Sequence, residues 1–369
     1  MNKNFVLATG LLAGTIIGAG VFPLPYVFSR LGLAVGFFYL AAFALAYFII
    51  HWMYAKVLAI QDGNHQFFYL AHKYLGGRFA NLASLIILGE LVFVLVVYLV
   101  LAPTFAELLF KNNTIVFLLA FWLLGSIFIF VRLSWMGFAD FAGTICILGI
   151  VGIIFYIGFG SPLEVSFFQK IDWKTFFLPF GPLLFSLAGR PAIHKVMEEY
   201  RRAKAGGNVF SLKKVAFWGT IIPALIYVFF IVSVLKLNPS VSPEALNSLG
   251  FLPPVILALL GIMGLITLWT SYFMIGVNVK DILRIDLKYP KWVSAATVLF
   301  APLVLYFAGF KEFLFVISFV GGVFLALEAI FVILLWQKAF PENKWRWLAW
   351  PLYAVFATAL SYEIFSFFN

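Results

Sequence analysis

Charge is what this sequence has least of. Asp, Glu, Lys and Arg make up 11% of 369 residues, against 64% hydrophobic residues. A soluble chain carries roughly a quarter charged residues. This one cannot cover itself with water-facing side chains and must face lipid. Cysteine is almost missing: Cys146 stands alone in an apolar run, which excludes a disulfide framework and a cysteine-based metal site. Histidine is scarce, and His51, His65, His72 and His194 have no metal-ligand spacing. No His-Glu-x-x-His, Gly-x-Ser-x-Gly or phosphate loop occurs, so an enzyme is not expected. No ring-forming filter motif suggests a channel. The net charge of +10 does not point to nucleic acid. The basic residues sit in short loops between apolar runs, not in a stripe interleaved with exposed aromatics.

What is present is a series of long apolar runs. A spanning helix needs about 20 mostly apolar residues. Eleven runs qualify, at approximately 5–29, 33–56, 81–109, 114–131, 135–160, 175–198, 213–236, 251–283, 291–309, 312–337 and 345–367. The first is too long for a signal-peptide core and is read as a retained helix. The expected fold class is therefore an all-α integral membrane protein with eleven transmembrane helices. A cytoplasmic N-terminus places most of the 25 Lys and Arg inside, leaving Arg30, Lys111, Lys170, Lys174, Lys236 and Lys311 outside. That bias favours a cytoplasmic N-terminus and an external C-terminus in the cytoplasmic membrane. The loops at 161–174 and 237–250 are long enough for short interfacial helices.

Two spans carry helix breakers. Span 1 contains Gly14, Gly18 and Gly20 followed by Pro23 and Pro25. Span 6 contains Pro179, Gly181, Pro182, Gly189 and Pro191. Unpaired backbone groups are costly in lipid and persist where protein or a water-filled cavity satisfies them. An opened helix offers free N–H groups at one half-helix end and free carbonyls at the other, suited to a carboxylate and a cation. Gly10, Gly14 and Gly18 also fit a small-residue packing face. The pairing of breaks five spans apart favours a binding site, since breaks at corresponding positions of two halves mark transporter sites. Two five-helix repeats follow, over 1–160 and 161–340, the second inverted because five is odd. Residues 341–369 form the eleventh helix.

The run Gly14-Thr15-Ile16-Ile17-Gly18-Ala19-Gly20-Val21-Phe22-Pro23-Leu24-Pro25-Tyr26 resembles the first-helix motif of the amino acid–polyamine–organocation superfamily. Its ending is similar to the aromatic amino acid permease and amino acid/auxin permease branches. Trp269-Thr270-Ser271-Tyr272, Gly276 and Asp281-Ile282-Leu283 resemble the eighth helix of the aromatic permeases. The resemblance implies a leucine-transporter-like fold with a 5+5 inverted repeat and secondary active transport of an amino acid. It places the substrate carboxylate on amides near Gly18, Ala19 and Gly20. The substrate amino group would lie near Phe185, Ser186, Leu187, Ala188 and Gly189, with Trp269 lining the pocket. By analogy with sodium-coupled relatives, a cation site would use the carbonyls of Gly14, Ile17 and Thr267 and the hydroxyls of Thr270 and Ser271. All are oxygen donors suited to a hard cation such as sodium. Interhelical or back-bonded hydrogen bonds are the alternative role for those hydroxyls. Proton coupling stays open.

Ionisable residues inside a membrane are functional hypotheses by default. Glu90 in span 3 is the first proton-coupling or substrate-ammonium candidate, Glu328 in span 10 the second proton candidate, and Asp140 a third. Arg190, just after the span-6 break, is a candidate partner. The expected partners are an amino acid, a coupling ion and the bilayer, with no nucleic acid and no cofactor beyond sodium. The competing reading is an amino-acid-sensing receptor subunit of the same fold, which binds without turnover.

Overall fold

The computed structural model describes the chain except residues 1, 62, 64, 65, 111–113, 131–135, 171 and 369, with side chains at 136–138, 140 and 286 also outside the described set. His65, Lys111 and the Asp140 side chain, weighed above, lie outside the described residues.

The fold is all-helical. Its helices are α1 (Lys3–Ile16), α2 (Leu24–Leu31), α3 (Leu33–Ala59), α4 (Phe67–Leu75), α5 (Gly77–Glu107), α6 (Thr114–Phe130), α7 (Met136–Gly158), α8 (Trp173–Phe177), α9 (Phe180–Leu187), α10 (Arg190–Ala205), α11 (Leu212–Leu237), α12 (Pro254–Asp281), α13 (Lys291–Phe307), α14 (Phe313–Phe319), α15 (Ala326–Ala339) and α16 (Ala349–Phe368). Among the described residues, eight helical segments are long and apolar enough to cross a membrane, and the bent pair α1–α2 makes nine. Two of the eleven expected spans, now α6 and α13, have only 17 residues each. At 1.5 Å per residue they reach about 26 Å, a little short of a hydrocarbon core of about 30 Å.

Three helix starts at polar loops carry side-chain caps: Asn2 accepts from the Asn4 amide at 3.0 Å, Asp172 from Thr175 at 2.7 Å and Ser211 from Lys214 at 3.3 Å. The interior helix starts after Gly18, Pro179 and Gly189 have no side-chain cap. Their orphan backbone groups must find other partners.

Helices far apart in the sequence interlock. α1 packs on α10 and α11, α5 on α12, and α9 on the π-helical turn Val320–Leu325 between α14 and α15. That last contact is backbone to backbone. A methyl at Gly321 of that turn would strike the Gly181 carbonyl of α9, and one at Gly181 the Ser318 carbonyl at the end of α14. Among its described residues the 161–172 loop has no helix before α8. Instead it pins the start of α3: the Leu33 and Ala34 amides donate to Ser166 and Phe167 at 3.3 and 3.0 Å. Gly32, at φ +80°, makes that turn, and any side chain there would strike the Phe167 carbonyl. The 237–250 loop holds one 3₁₀ turn, Leu246–Leu249.

Candidate functional site

The span-1 break falls where the glycines predict it. α1 stops at Ile16; Ile17 and Gly18 are extended; a 3₁₀ turn covers Ala19–Val21 before α2 begins. The two half-helices meet at 56°. Among the described residues, the carbonyls of Gly14, Thr15 and Ile17 and the amides of Ala19 and Gly20 have no backbone hydrogen bond.

The span-6 break is narrower than the run of breakers suggests. Pro179 begins α9 and Pro182 falls in its first turn, where the missing N–H costs nothing. The chain opens only at Ala188, with ψ 131°, and Gly189. The Leu184, Phe185 and Leu187 carbonyls have no backbone hydrogen bond among the described residues.

One hydroxyl joins the two breaks. Tyr227 of α11, fully buried, sits 2.6 Å from the Ile16 carbonyl and 2.8 Å from that of Ser186, and its oxygen faces the Gly18 amide. It thus serves the C-terminal ends of α1 and α9 together. Ser186 makes a second tie, its Oγ 2.5 Å from the Gly20 carbonyl and 2.6 Å from that of Pro182. Each hydroxyl has one proton for two acceptors, so the carbonyls share it. The backbones touch as well: a methyl at Gly20 would lie 2.6 Å from the Ser186 Cα, and one at Gly189 2.6 Å from the Ile16 Cγ1.

A cavity of about 440 Å³ runs from the span-1 break to the end of the molecule where α10 and α12 reach their basic loops. Gly14, Thr15, Ile17 and Gly18 form its inner end; Gln66, Lys195 and Ile285 stand at its mouth. The other end of span 1 is shut by Phe22, whose ring meets Phe105 at 5.2 Å and Phe230 at 5.9 Å, all edge-on.

All five cation-site residues line this cavity: Gly14, Ile17, Thr267, Thr270 and Ser271. They are not gathered around one point. Gly143 and Thr144 of α7 stand between the two groups, Gly14 facing Thr144 and Gly143 facing Thr270. The Thr270 hydroxyl donates to the Thr267 carbonyl at 3.0 Å, and the Thr267 hydroxyl lies 3.0 Å from the Gly143 carbonyl.

Of the expected substrate set, Gly18 lines the cavity, while Ala19, Gly20, Phe185, Ser186, Leu187, Ala188, Gly189 and Trp269 do not. Helical phase explains Trp269. Residues 267, 270, 271, 274 and 278 share one face of α12, and a residue two away points across the helix. Trp269 instead packs edge-on against Phe128 at 4.7 Å and Phe273 at 5.3 Å.

Phase also moves Glu90. Ser84, Ile87, Leu91 and Tyr98 form the cavity face of α5, and Glu90 lies about 100° from Leu91. It is buried beside Glu328 of α15, not in the cavity where a helix-3 carboxylate could meet a substrate ammonium. Glu328 forms a buried ion pair with Arg190, the first residue of α10. The guanidinium also lies 5.2 Å from the Phe67 ring centroid, and Arg190 itself lines the cavity. Sequence reasoning offered Arg190 a carboxylate partner without choosing which. It missed Tyr227, Gly143 and Thr144, since a tyrosine or threonine in an apolar span has no distinguishing local signal.

The family model for transmembrane amino acid transporter proteins matches residues 1–234, more than half of the chain and both breaks. The chain belongs to that family. It is a multi-pass membrane transporter and not an enzyme. No curated protein matches it in sequence. Its fold is shared with solved transporters of low identity. A crystal structure of MhsT in complex with L-phenylalanine superposes with TM-score 0.63 at 14% identity, covering 100% of this chain and 98% of that one. An inward-facing structure of Mhp1 gives 0.65 at 14%, covering 98% and 88%. The Eremococcus coleocola manganese transporter, with an aromatic bis-isothiourea compound, gives 0.61 at 14%, covering 99% and 87%. These likenesses establish a leucine-transporter-like fold for this transporter.

Proposed function

We propose that this transporter moves an amino acid by cation-coupled symport and alternating access. The observation that carries the reading is that all five oxygen-donor residues expected for a sodium site line the same cavity as the open end of span 1. Free carbonyls at a helix C-terminal end suit a cation, and free amides on the far side of the break suit a carboxylate. The substrate lies at the midplane between the two breaks. Gly18, Ala19 and Gly20 face its carboxylate and the Phe185–Gly189 stretch its amino group, while Trp269, packed against Phe128 and Phe273, takes no part. Sodium completes its site when α1 and α12 close across Thr144. The contact of Gly20 with Ser186 and the open basic end support reading this as an inward-open state with the substrate released.

In this reading α6 and α13 also cross, giving eleven spans. The first five and the next five are inverted repeats over 1–160 and 161–340, and 341–369 adds the last helix. The basic end faces the cytoplasm, the C-terminus lies outside, and the protein resides in the cytoplasmic membrane.

The test is a melting screen of the purified protein against the common L-amino acids, in sodium and in potassium. Ligand binding to the folded state alone raises the midpoint. Stabilisation by an amino acid that grows with sodium is the expected result. A sensor would also bind, so labelled amino acid counterflow in proteoliposomes follows: exchange supports transport, and binding without exchange overturns it.

A further inference from the structure

Behind the cavity wall lies a second polar centre. α5 supplies Glu90, α15 Glu328 and α10 Arg190, all buried. α3 adds Tyr47 and Tyr54, and the Tyr54 hydroxyl is 2.8 Å from His194 Nε2. Among the described residues, the charged groups acting on Glu90 are Glu328 and Arg190. Glu363 of α16 packs against Gly322, six residues and about 9 Å of helix rise from Glu328.

The charges do not balance. Two carboxyls face one guanidinium in a protein interior surrounded by lipid. An uncompensated buried charge is strongly unfavourable, and a bound proton removes it. The hydrogen bonds point the same way. Glu90 Oε2 and the Tyr47 hydroxyl, at 5% and 3% residue exposure, have no hydrogen-bond partner among the described residues.

We propose that Glu90 and Glu328 together form a binding site for one exchangeable proton, and that this proton is a coupling ion of the transporter. This rests on the symport reading above. Proton uptake forms one carboxyl O–H bond and breaks one in a cavity hydronium; no other bond changes. With the proton bound, Arg190 balances one carboxylate. Without it, two carboxylates compete for the guanidinium. Arg190 is at once a cavity residue and the first residue after the Ala188–Gly189 break, so the change acts where the half-helices of span 6 meet. Arg190 is a positioning residue in this scheme.

Charge counting makes the test. Glu90→Gln and Glu328→Gln each leave one carboxylate for Arg190, whereas the double variant leaves the arginine alone. Melting midpoints across pH in detergent should show a fall on the alkaline side for the wild type, as the proton leaves. That fall should be absent in Glu90→Gln. The double variant should melt lower than the sum of the two single shifts. In sodium-free proteoliposomes, an inward proton gradient should raise wild-type uptake of a labelled amino acid mixture. The ratio of uptake with and without the gradient should drop to one in Glu90→Gln. An alkaline slope shared by Glu90→Gln, or additive melting shifts, overturns the proton site. A gradient effect equal in both chains overturns its coupling role. If no chain exchanges amino acids at all, the symport reading and the coupling role both fail, and the melting arms still decide the proton site.

Discussion

The two breaks use the same device and end in different surroundings. In span 1 Gly14, Ile17 and Gly18 line a cavity, and Gly18 has room around it: a methyl there would come no closer than 4.0 Å to the Ile16 carbonyl. In span 6, Phe185–Gly189 do not line that cavity; Tyr227 reaches the Ser186 carbonyl and the Ser186 hydroxyl that of Pro182. Opened backbone needs a partner in lipid. Both breaks share the Tyr227 and Ser186 hydroxyls, and only the span-1 break also opens on the cavity through Gly14, Thr15, Ile17 and Gly18. The difference implies that span 6 opens only when Gly20 separates from Ser186.

Substitutions that ignore the packing on the closed side should cost most. Gly20→Val drives a branched side chain into the Ser186 backbone. A loss of about 3 kcal/mol, at the upper end for overpacking, is expected as a lower melting midpoint. Tyr227→Phe keeps the ring but strips a hydroxyl from the Ile16 and Ser186 carbonyls, for a loss of about 2 kcal/mol. If Tyr227→Phe melts as the wild type does, the two breaks are not held through this residue. On the open side the effects move from stability to binding. Ser271→Ala should leave the melting midpoint unchanged and weaken sodium stabilisation about tenfold, the equivalent of about 1.4 kcal/mol. Unaltered sodium dependence would remove Ser271 from the site.

The smallest effect lies outside the membrane. The Thr175 amide donates to Asp172 at the start of α8 and holds its carboxyl below the ordinary 3.8. A depressed carboxyl contributes stability that is full above its ordinary value and is lost as pH falls through the lowered one. Asp172→Asn should flatten that acid-side slope slightly, as read from melting curves at low pH.

How far the sequence could be read follows the same division. The span-1 break was legible because Gly14, Gly18 and Gly20 lie close together ahead of Pro23 and Pro25. Span 6 was legible as interrupted, but its prolines misled about extent: Pro179 and Pro182 sit at a helix start that tolerates them, and only Ala188 and Gly189 depart from helix. Helical phase was the missing quantity for the side chains. Glu90 and Trp269 lie on the right spans with their faces turned from the cavity. Phase relative to neighbours is set by packing between spans that are hydrophobic all round, so no polar stripe marks the inner face. Tyr227 could not be found at all, since one tyrosine among many aromatics acquires its role only where two breaks meet.

Counterflow by Gly18→Val tests the central claim most directly. Gly18 is extended, at φ −153°, which a β-branched residue adopts without strain, and it lines the cavity at the inner end. The account predicts a wild-type melting midpoint and no exchange of labelled amino acid in proteoliposomes, because the side chain fills the space beside the free amides. Exchange at the wild-type rate by a normally folded Gly18→Val would contradict a substrate site at the span-1 break.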